Sequence, residues 1–377
     1  MSTPAATSDA DDHTLGYRPA LDGVRAIAIA IVVVHHTIGF PVNGFFGVDL
    51  FFVLSGFLIT TLLFEEHARR GQVSLGGFYR RRALRLLPAL FALLAAFFVI
   101  ACIGAALGET QLDRALLGVA AGIGYFTNLV VAFGGAAGKT ALPNELGHLW
   151  SLAIEEQFYL VWPVILLFVF RARPRLALVG LVAALALITA QQVRLYLQGA
   201  SEERIAYGSD TRSTSIVVGC MLAAALLTAA RPGVLRLARV LAPFGAASFG
   251  ILLLASPGAR MFAPWSLAVA FVGAWLIVLA LDSRSLFGRT LSVPPLVFLG
   301  RISYALYLWH VPVYVTFGLT DTPEWMDVPA LGLSLACATA SYYLVERTFL
   351  RRRHRPAAEP RADSAALTPA LSPASTV

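Results

Sequence analysis

Arg25 and His36 stand eleven residues apart in the first long apolar run of a 377-residue chain. On a helix, eleven steps of about 100° close three turns with a small remainder, so both side chains project from one face about 16 Å apart. An arginine is a fixed cation, and a near-neutral imidazole can take a proton from a reacting group or bond to it transiently. His35 is adjacent and faces about 100° away, so spacing leaves the choice between the two histidines open. A histidine tied to a neighbouring carbonyl for helix packing is the competing reading.

Other polar groups sit where they are expensive. Glu155 and Glu156 lie in the run HLWSLAIEEQFY, residues 148 to 159, at the start of another apolar stretch. Carboxyls inside a membrane span are costly unless paired or hydrated, and these two lie a turn or more past any cap that would use them. Ser303 and His310 share a helical face, with Tyr307 flanking. The segment Phe78, Tyr79, Arg80, Arg81, Arg82, Ala83, Leu84, Arg85 is basic, and Arg82 with Arg85 can form a fork for phosphates. Its competing reading is charge that only sets topology. Asp49, shortly after Gly47, is a further candidate.

The elements that must position these groups are membrane helices. The chain is 58% hydrophobic and 14% charged, with a mean hydropathy of +0.72, too little polar surface for a soluble domain. Its net charge of +7 falls in short basic clusters between apolar runs, the pattern of membrane topology rather than of nucleic-acid binding. The expected fold is all-α and polytopic, with about ten spans. They are placed at 24–40, 46–64, 87–107, 149–170, 175–191, 213–230, 241–255, 264–281, 296–318 and 328–350. The stretch 115–133, broken by glycines and Asn128, reads as a re-entrant or interfacial segment, because counting it would put Arg171, Arg173 and Arg175 outside. With that choice every basic cluster lies on the inner face and both termini are cytoplasmic.

Residues 1–17 and 354–377 are expected to be disordered tails around a membrane domain at 18–353, since they lack the apolar content to fold. No cleavable leader is expected, because the first apolar run follows an acidic stretch without a basic start. Cys102, Cys220 and Cys337 are far apart in apolar stretches, with neither disulfide nor metal spacing, and no bound metal is expected. Laid on this topology, His36 lies about 18 Å and His310 about 21 Å from the inner ends of their spans, and Glu155 and Glu156 about 9 to 11 Å from the outer boundary. Two histidines and two carboxyls are thus expected to converge in the outer half.

Six segments in order resemble the bacterial acyltransferase-3 family of integral membrane acyltransferases: LDGVRAIAIAIVVVHH (21–36), FFGVDLFFVLSGFLIT (45–60), FYRRRALRLLPAL (78–90), LWSLAIEEQFYLVWP (149–163), SDTRSTSIVVGCMLA (209–223) and GRISYALYLWHVPV (300–313). The resemblance runs from about residue 19 to 350. It places the family's Arg and His motif on Arg25 and His36, favouring His36 over His35, and its Arg-x-x-Arg motif on Arg82 and Arg85. It further implies ten core helices in the bacterial inner membrane and acetyl-CoA or another acyl-CoA as co-substrate. The implied acceptors are hydroxyls of cell-envelope glycans, lipid-linked sugars or, in some members, macrolides. Only a short tail follows residue 350 and no GDS motif of an SGNH domain occurs, so the membrane domain, alone or with a partner, is expected to complete transfer. Glu346, Arg347, Thr348 depart from the expected Glu-Arg-Pro, which puts the local turn in doubt.

On that basis Arg25, Arg80, Arg81, Arg82 and Arg85 are expected to bind the donor, and His36 to act as general base or acyl carrier. Glu155 or Glu156 is expected to hold its imidazole tautomer. Asp49, Ser303, Tyr307, His310, Asp210 and Arg212 are candidates for acceptor or oxyanion contacts. A proton-coupled transporter would also place His and Glu at mid-membrane, though no inverted repeat is evident.

Overall fold

A computed structural model describes residues 15–41, 43–108, 111–171, 175–227, 231–255, 262–282, 285–316 and 327–352. Its long apolar runs form helices α1 (Pro19–Ile38), α2 (Phe45–Arg70), α3 (Leu75–Ala106), α6 (Trp150–Arg171), α7 (Arg175–Leu197) and α13 (Phe262–Leu281). Between α3 and α6 come α4 (Leu112–Ile123), α5 (Thr127–Ala141) and a 3-10 turn, Asn144–Leu149. After α7 come α8 (Glu202–Tyr207), α9 (Ser209–Arg212), α10 (Thr214–Leu226), α11 (Arg231–Val240) and α12 (Ala242–Leu254). The chain continues through α14 (Leu286–Leu291), α15 (Pro294–Arg301), α16 (Ser303–Thr316) and α17 (Asp327–Ser341), then a π turn, Tyr342–Glu346, and α18 (Arg347–Arg352).

Local chemistry sets the ends. Ser74 caps α3 by accepting from the Gly77 N–H at 3.2 Å, and α1 and α2 stop at Gly39 and Gly71, both at φ 68°, a left-handed conformation open to glycine.

Among the described residues seven helices are long and apolar enough to cross a membrane, and up to nine crossings result if each bent pair counts as one. The pairs are α11 with α12, bent by 65°, and α15 with α16, bent by 67°. The remaining expected crossing, 213–230, is held by α10, at 13 residues shorter than a membrane-spanning helix. Residues 115–133 form no single helix: α4 ends before Tyr125, whose φ is 53°, and α5 begins at Thr127. Of the tails, residues 15–17 are described, and Tyr17 donates to Asp22 at 2.8 Å and accepts from Arg301 at 2.9 Å. Residues 1–14 and 353–377 lie outside the described residues.

Helix α2 is the hub: 78% of its apolar window is buried, against 11% for α7. It crosses α10 at near backbone contact, with Gly56 against the Ile216 carbonyl and Gly219 against the Val53 carbonyl, where any Cβ would collide. Such close crossings let van der Waals packing hold helices together where lipid offers no hydrophobic drive between them. Around this crossing Phe52, Ile59 and Leu63 of α2 pack with Trp150 and Ile154 of α6 and Leu306 of α16.

Candidate active site

A cavity of about 330 Å³ lies between α2, α3, α6 and α16. Arg25, Arg69, Arg70, Arg81, Arg82 and Arg85 line it toward one end. The arginines do not share one role. Arg81 donates to Glu66 at 3.0 Å, and Arg70 stands 3.7 Å from the same carboxylate. Arg82 lies 3.5 Å over the Tyr159 ring. Arg80 is exposed and does not line the cavity, so the structure removes it from the expected set: it is separated from Arg81 and Arg82 by the helical turn of α3. Arg69 and Arg70, at the end of α2, join instead.

Arg25 is anchored by three bonds, from Nε to the Gly300 carbonyl at 3.2 Å, and from Nε and Nη2 to Ser303 Oγ at 3.2 and 3.0 Å. Ser303 was expected on the acceptor side. The bend between α15 and α16 puts it at the arginine end, tying Arg25 of α1 to α16.

The cavity wall then rises past Glu155, which accepts from Ser55 Oγ and Tyr159 OH. Glu156 is opposed by Arg82 and Arg85. The upper end is closed by Tyr307, whose hydroxyl donates to the His148 carbonyl at 2.6 Å and shares a 2.5 Å hydrogen bond with Ser151 Oγ.

Beyond Tyr307 three imidazoles meet. The His310 ring centroid lies 5.2 Å from that of His36 and 5.5 Å from that of His148; His148 lies 5.4 Å from the Tyr307 ring. His36 Nδ1 stands 2.8 Å from the Val32 carbonyl, and His310 Nδ1 stands 2.7 Å from the Tyr307 carbonyl. A carbonyl only accepts, so Nδ1 carries the proton in both and the lone pair of the neutral ring sits on Nε2. That leaves the lone pair on Nε2, the position from which an imidazole that substrate can reach takes a proton or an acyl group; His310 Nε2 is buried and makes no hydrogen bond among the described residues. His35 instead contacts the Pro41 carbonyl at 2.8 Å and packs over Gly44.

The expected tautomer partner of His36 is therefore corrected. The backbone one turn earlier fixes its ring, while Glu155, one turn along α6 beyond Ser151, is committed to Ser55 and Tyr159. Asp49 and Arg212 are also drawn away from the cavity into a buried pair. Arg212 Nη2 donates to Asp49 at 3.0 Å, Ser215 donates to it at 2.8 Å, and Arg212 lies 5.3 Å over the Phe45 ring. Asp210 is held by Arg204 through bonds of 2.8 and 2.6 Å and by Gln191 at 3.0 Å. Burial acts to raise its carboxyl, but Arg204 and Gln191 outweigh it and hold the group below the usual range. Among the described residues no group of three His, Cys, Asp or Glu has a metal-holding arrangement.

His148 and Ser151 were not singled out, although with Glu155 and Tyr159 they repeat at intervals of three and four. That is the spacing of one helical face and the signal that could have found them.

The acyltransferase domain family matches residues 18–346. The peptidoglycan O-acetyltransferase OatA of Listeria monocytogenes is 32% identical over 88% of this chain and 55% of its own length. The putative peptidoglycan O-acetyltransferase YrhL of Bacillus subtilis is 33% identical, over 88% and 54%, and the O-acetyltransferase OatA of Staphylococcus aureus 29% identical, over 88% and 57%. The chain thus spans little more than half the length of these relatives. No solved structure matches it. With the family match running from the start of α1 through the π turn, the chain belongs to the acyltransferase family.

Proposed function

We propose that the chain is a membrane O-acyltransferase that moves an acetyl or other short acyl group from acyl-CoA to a hydroxyl of a cell-envelope glycan. One observation carries the reading: a single cavity runs from a group of arginines to the Tyr307 and Ser151 pair beneath the histidines. The names of the relatives support an acetyl group and a peptidoglycan acceptor. The positive-inside rule supports a multi-pass protein of the bacterial inner membrane with the arginines, and both termini, on the cytoplasmic face.

The diphosphate and ribose phosphate of CoA suit Arg69, Arg82 and Arg85, since guanidinium offers paired donors to phosphate oxygens. Arg25, locked by Ser303, presents a fixed charge at the same level. The thioester arm follows the apolar wall of α2 toward Tyr307, whose bond to Ser151 must open for the acyl carbon to reach His36. His36 Nε2 then takes the proton of the acceptor hydroxyl as its oxygen bonds to the thioester carbon. The carbon to sulfur bond breaks, and the proton passes from the imidazolium to the leaving thiolate. Tyr307 OH is placed to donate to the oxyanion once released from the His148 carbonyl.

The test is labelled acetyl transfer by purified protein in nanodiscs, with native chain beside His36→Ala, acetyl-CoA as donor and peptidoglycan fragments as acceptors. Transfer by the native chain and none by the variant is expected. Equal rates remove His36 from the chemistry, and a trapped acetyl-imidazole on His36 replaces direct transfer by a two-step path. Absence of acetyl-CoA binding with proton-coupled uptake of a solute in vesicles would establish a transporter.

A further inference from the structure

A second cavity, of about 400 Å³, opens between α3, α4, the 144–149 turn and α16. It lies away from the arginines: its α3 wall, Leu93 to Ala101, begins about 12 Å and ends about 24 Å along the helix from Arg85. Two aromatic rings, Phe97 and Trp309, share this lining with Gln111, Asn144 and Glu145. The indole N–H of Trp309 is buried without an acceptor among the described residues, a condition that calls for a bound partner. Arg114, the one cation in the lining among the described residues, is spent on the backbone, donating twice to the Leu142 carbonyl at 3.0 and 2.6 Å. It thereby fixes the chain that leads into Asn144.

The charge balance separates the two cavities. The first collects arginines, as a polyphosphate requires. The second offers a carboxylate, two amides, an indole N–H and two aromatic faces; the carboxylate opposes a phosphate, and the set suits a neutral ring with an apolar face and a rim of hydroxyls. Two of its lining residues stand beside the histidines along the chain. Glu145 precedes His148 by three residues in a 3-10 turn, where such positions eclipse, and Trp309 precedes His310 in α16.

We propose that this cavity is the acceptor subsite and binds a saccharide ring of the glycan, with Trp309 and Phe97 against its apolar face and Glu145, Asn144 and Gln111 on its hydroxyls. The assignment rests on the acyl-transfer reading for its purpose, though binding itself can be measured without turnover.

The probe is an N-acetylglucosamine tetrasaccharide, titrated into the full chain in nanodiscs by calorimetry, for native protein and for Trp309→Ala, Glu145→Gln and Trp309→Phe. Binding by the native chain, weakened at least about tenfold in Trp309→Ala and Glu145→Gln and only partly restored by Trp309→Phe, which keeps an aromatic face and lacks the N–H, is expected. In turnover the same two variants raise the acceptor KM more than the donor KM. Native binding that none of the variants changes overturns the assignment, as does a native chain that takes up no tetrasaccharide at millimolar concentration. Trp309-dependent binding without any acetyl transfer keeps the saccharide site and removes the transfer reading.

Discussion

Removing one partner of the Asp49 and Arg212 pair tests whether that pair holds helices or handles substrate. The carboxylate and guanidinium are 3 to 4% exposed and 3.0 Å apart, and Ser215 occupies the second carboxylate oxygen at 2.8 Å. The contact ties α2 to the segment that starts α10. Arg212→Ala leaves a buried acid, and Asp49→Ala a buried guanidinium against Phe45 and Trp150. Stranding one charge of a buried pair costs about 3 to 5 kcal/mol. At about 2 °C per kcal/mol for a large chain, each single variant is expected to melt roughly 6 to 10 °C below the native protein. A double variant, Asp49→Asn with Arg212→Met, strands no charge and is expected to recover more than half of that loss. The assay is thermal unfolding in detergent followed by tryptophan fluorescence. It is informative here because Trp150 lies 5.7 Å from the Arg212 guanidinium. Additive single losses, or an Asp49→Ala protein with native melting and no acyl transfer, would refute the structural role and return Asp49 to the chemistry.

Other perturbations follow from the same geometry. Ser303→Ala deletes the hydroxyl that holds Arg25 from two nitrogens, so the donor KM is expected to rise about tenfold in steady-state kinetics with varied acetyl-CoA. His148→Gln removes the third imidazole from the cluster and is expected to lower kcat about a hundredfold, measured as acyl transfer at saturating donor. Gly219→Val places a side chain into the Val53 carbonyl, and the loss of folded protein is read by size-exclusion chromatography in detergent. The lowered carboxyl of Asp210 contributes stability that is fully present above the unfolded value of about 3.9 and is lost as pH falls through the folded value below it. The melting difference between native protein and Asp210→Asn is therefore expected to hold steady from pH 7 to about 5 and to vanish in more acidic buffer.

How much was legible varies with the range of the interaction. Hydropathy is a sum over neighbours in sequence, so α1, α2, α6 and α13 fall close to their expected spans, while α3 begins about twelve residues before its expected start because the basic segment continues its helix. The convergence of His36 with His310 was legible too, because depth in a membrane follows from residue count along a rigid helix. The carboxyls instead meet other groups, Glu155 accepting from Ser55 and Tyr159. Helical periodicity says which residues share a face, and it does not say how that face is turned toward the next helix.

The sequence by itself determined a polytopic α-helical membrane protein, the family motifs, and a set of ionisable residues too costly to be incidental. Only the tertiary structure decided which of them meet. It paired Asp49 with Arg212 across 163 positions and Arg25 with Ser303 across 278. It set Glu155 on Ser55 and added His148 to the histidines. The physical reason is that a hydrogen bond is satisfied within about 3 Å, whereas the rotation and crossing of helices that bring two groups so close are fixed by contacts elsewhere. Gly56 and Gly219 at the backbone crossing of α2 and α10, and the bend that opens α16 at Ser303, are contacts that no local pattern in the chain records.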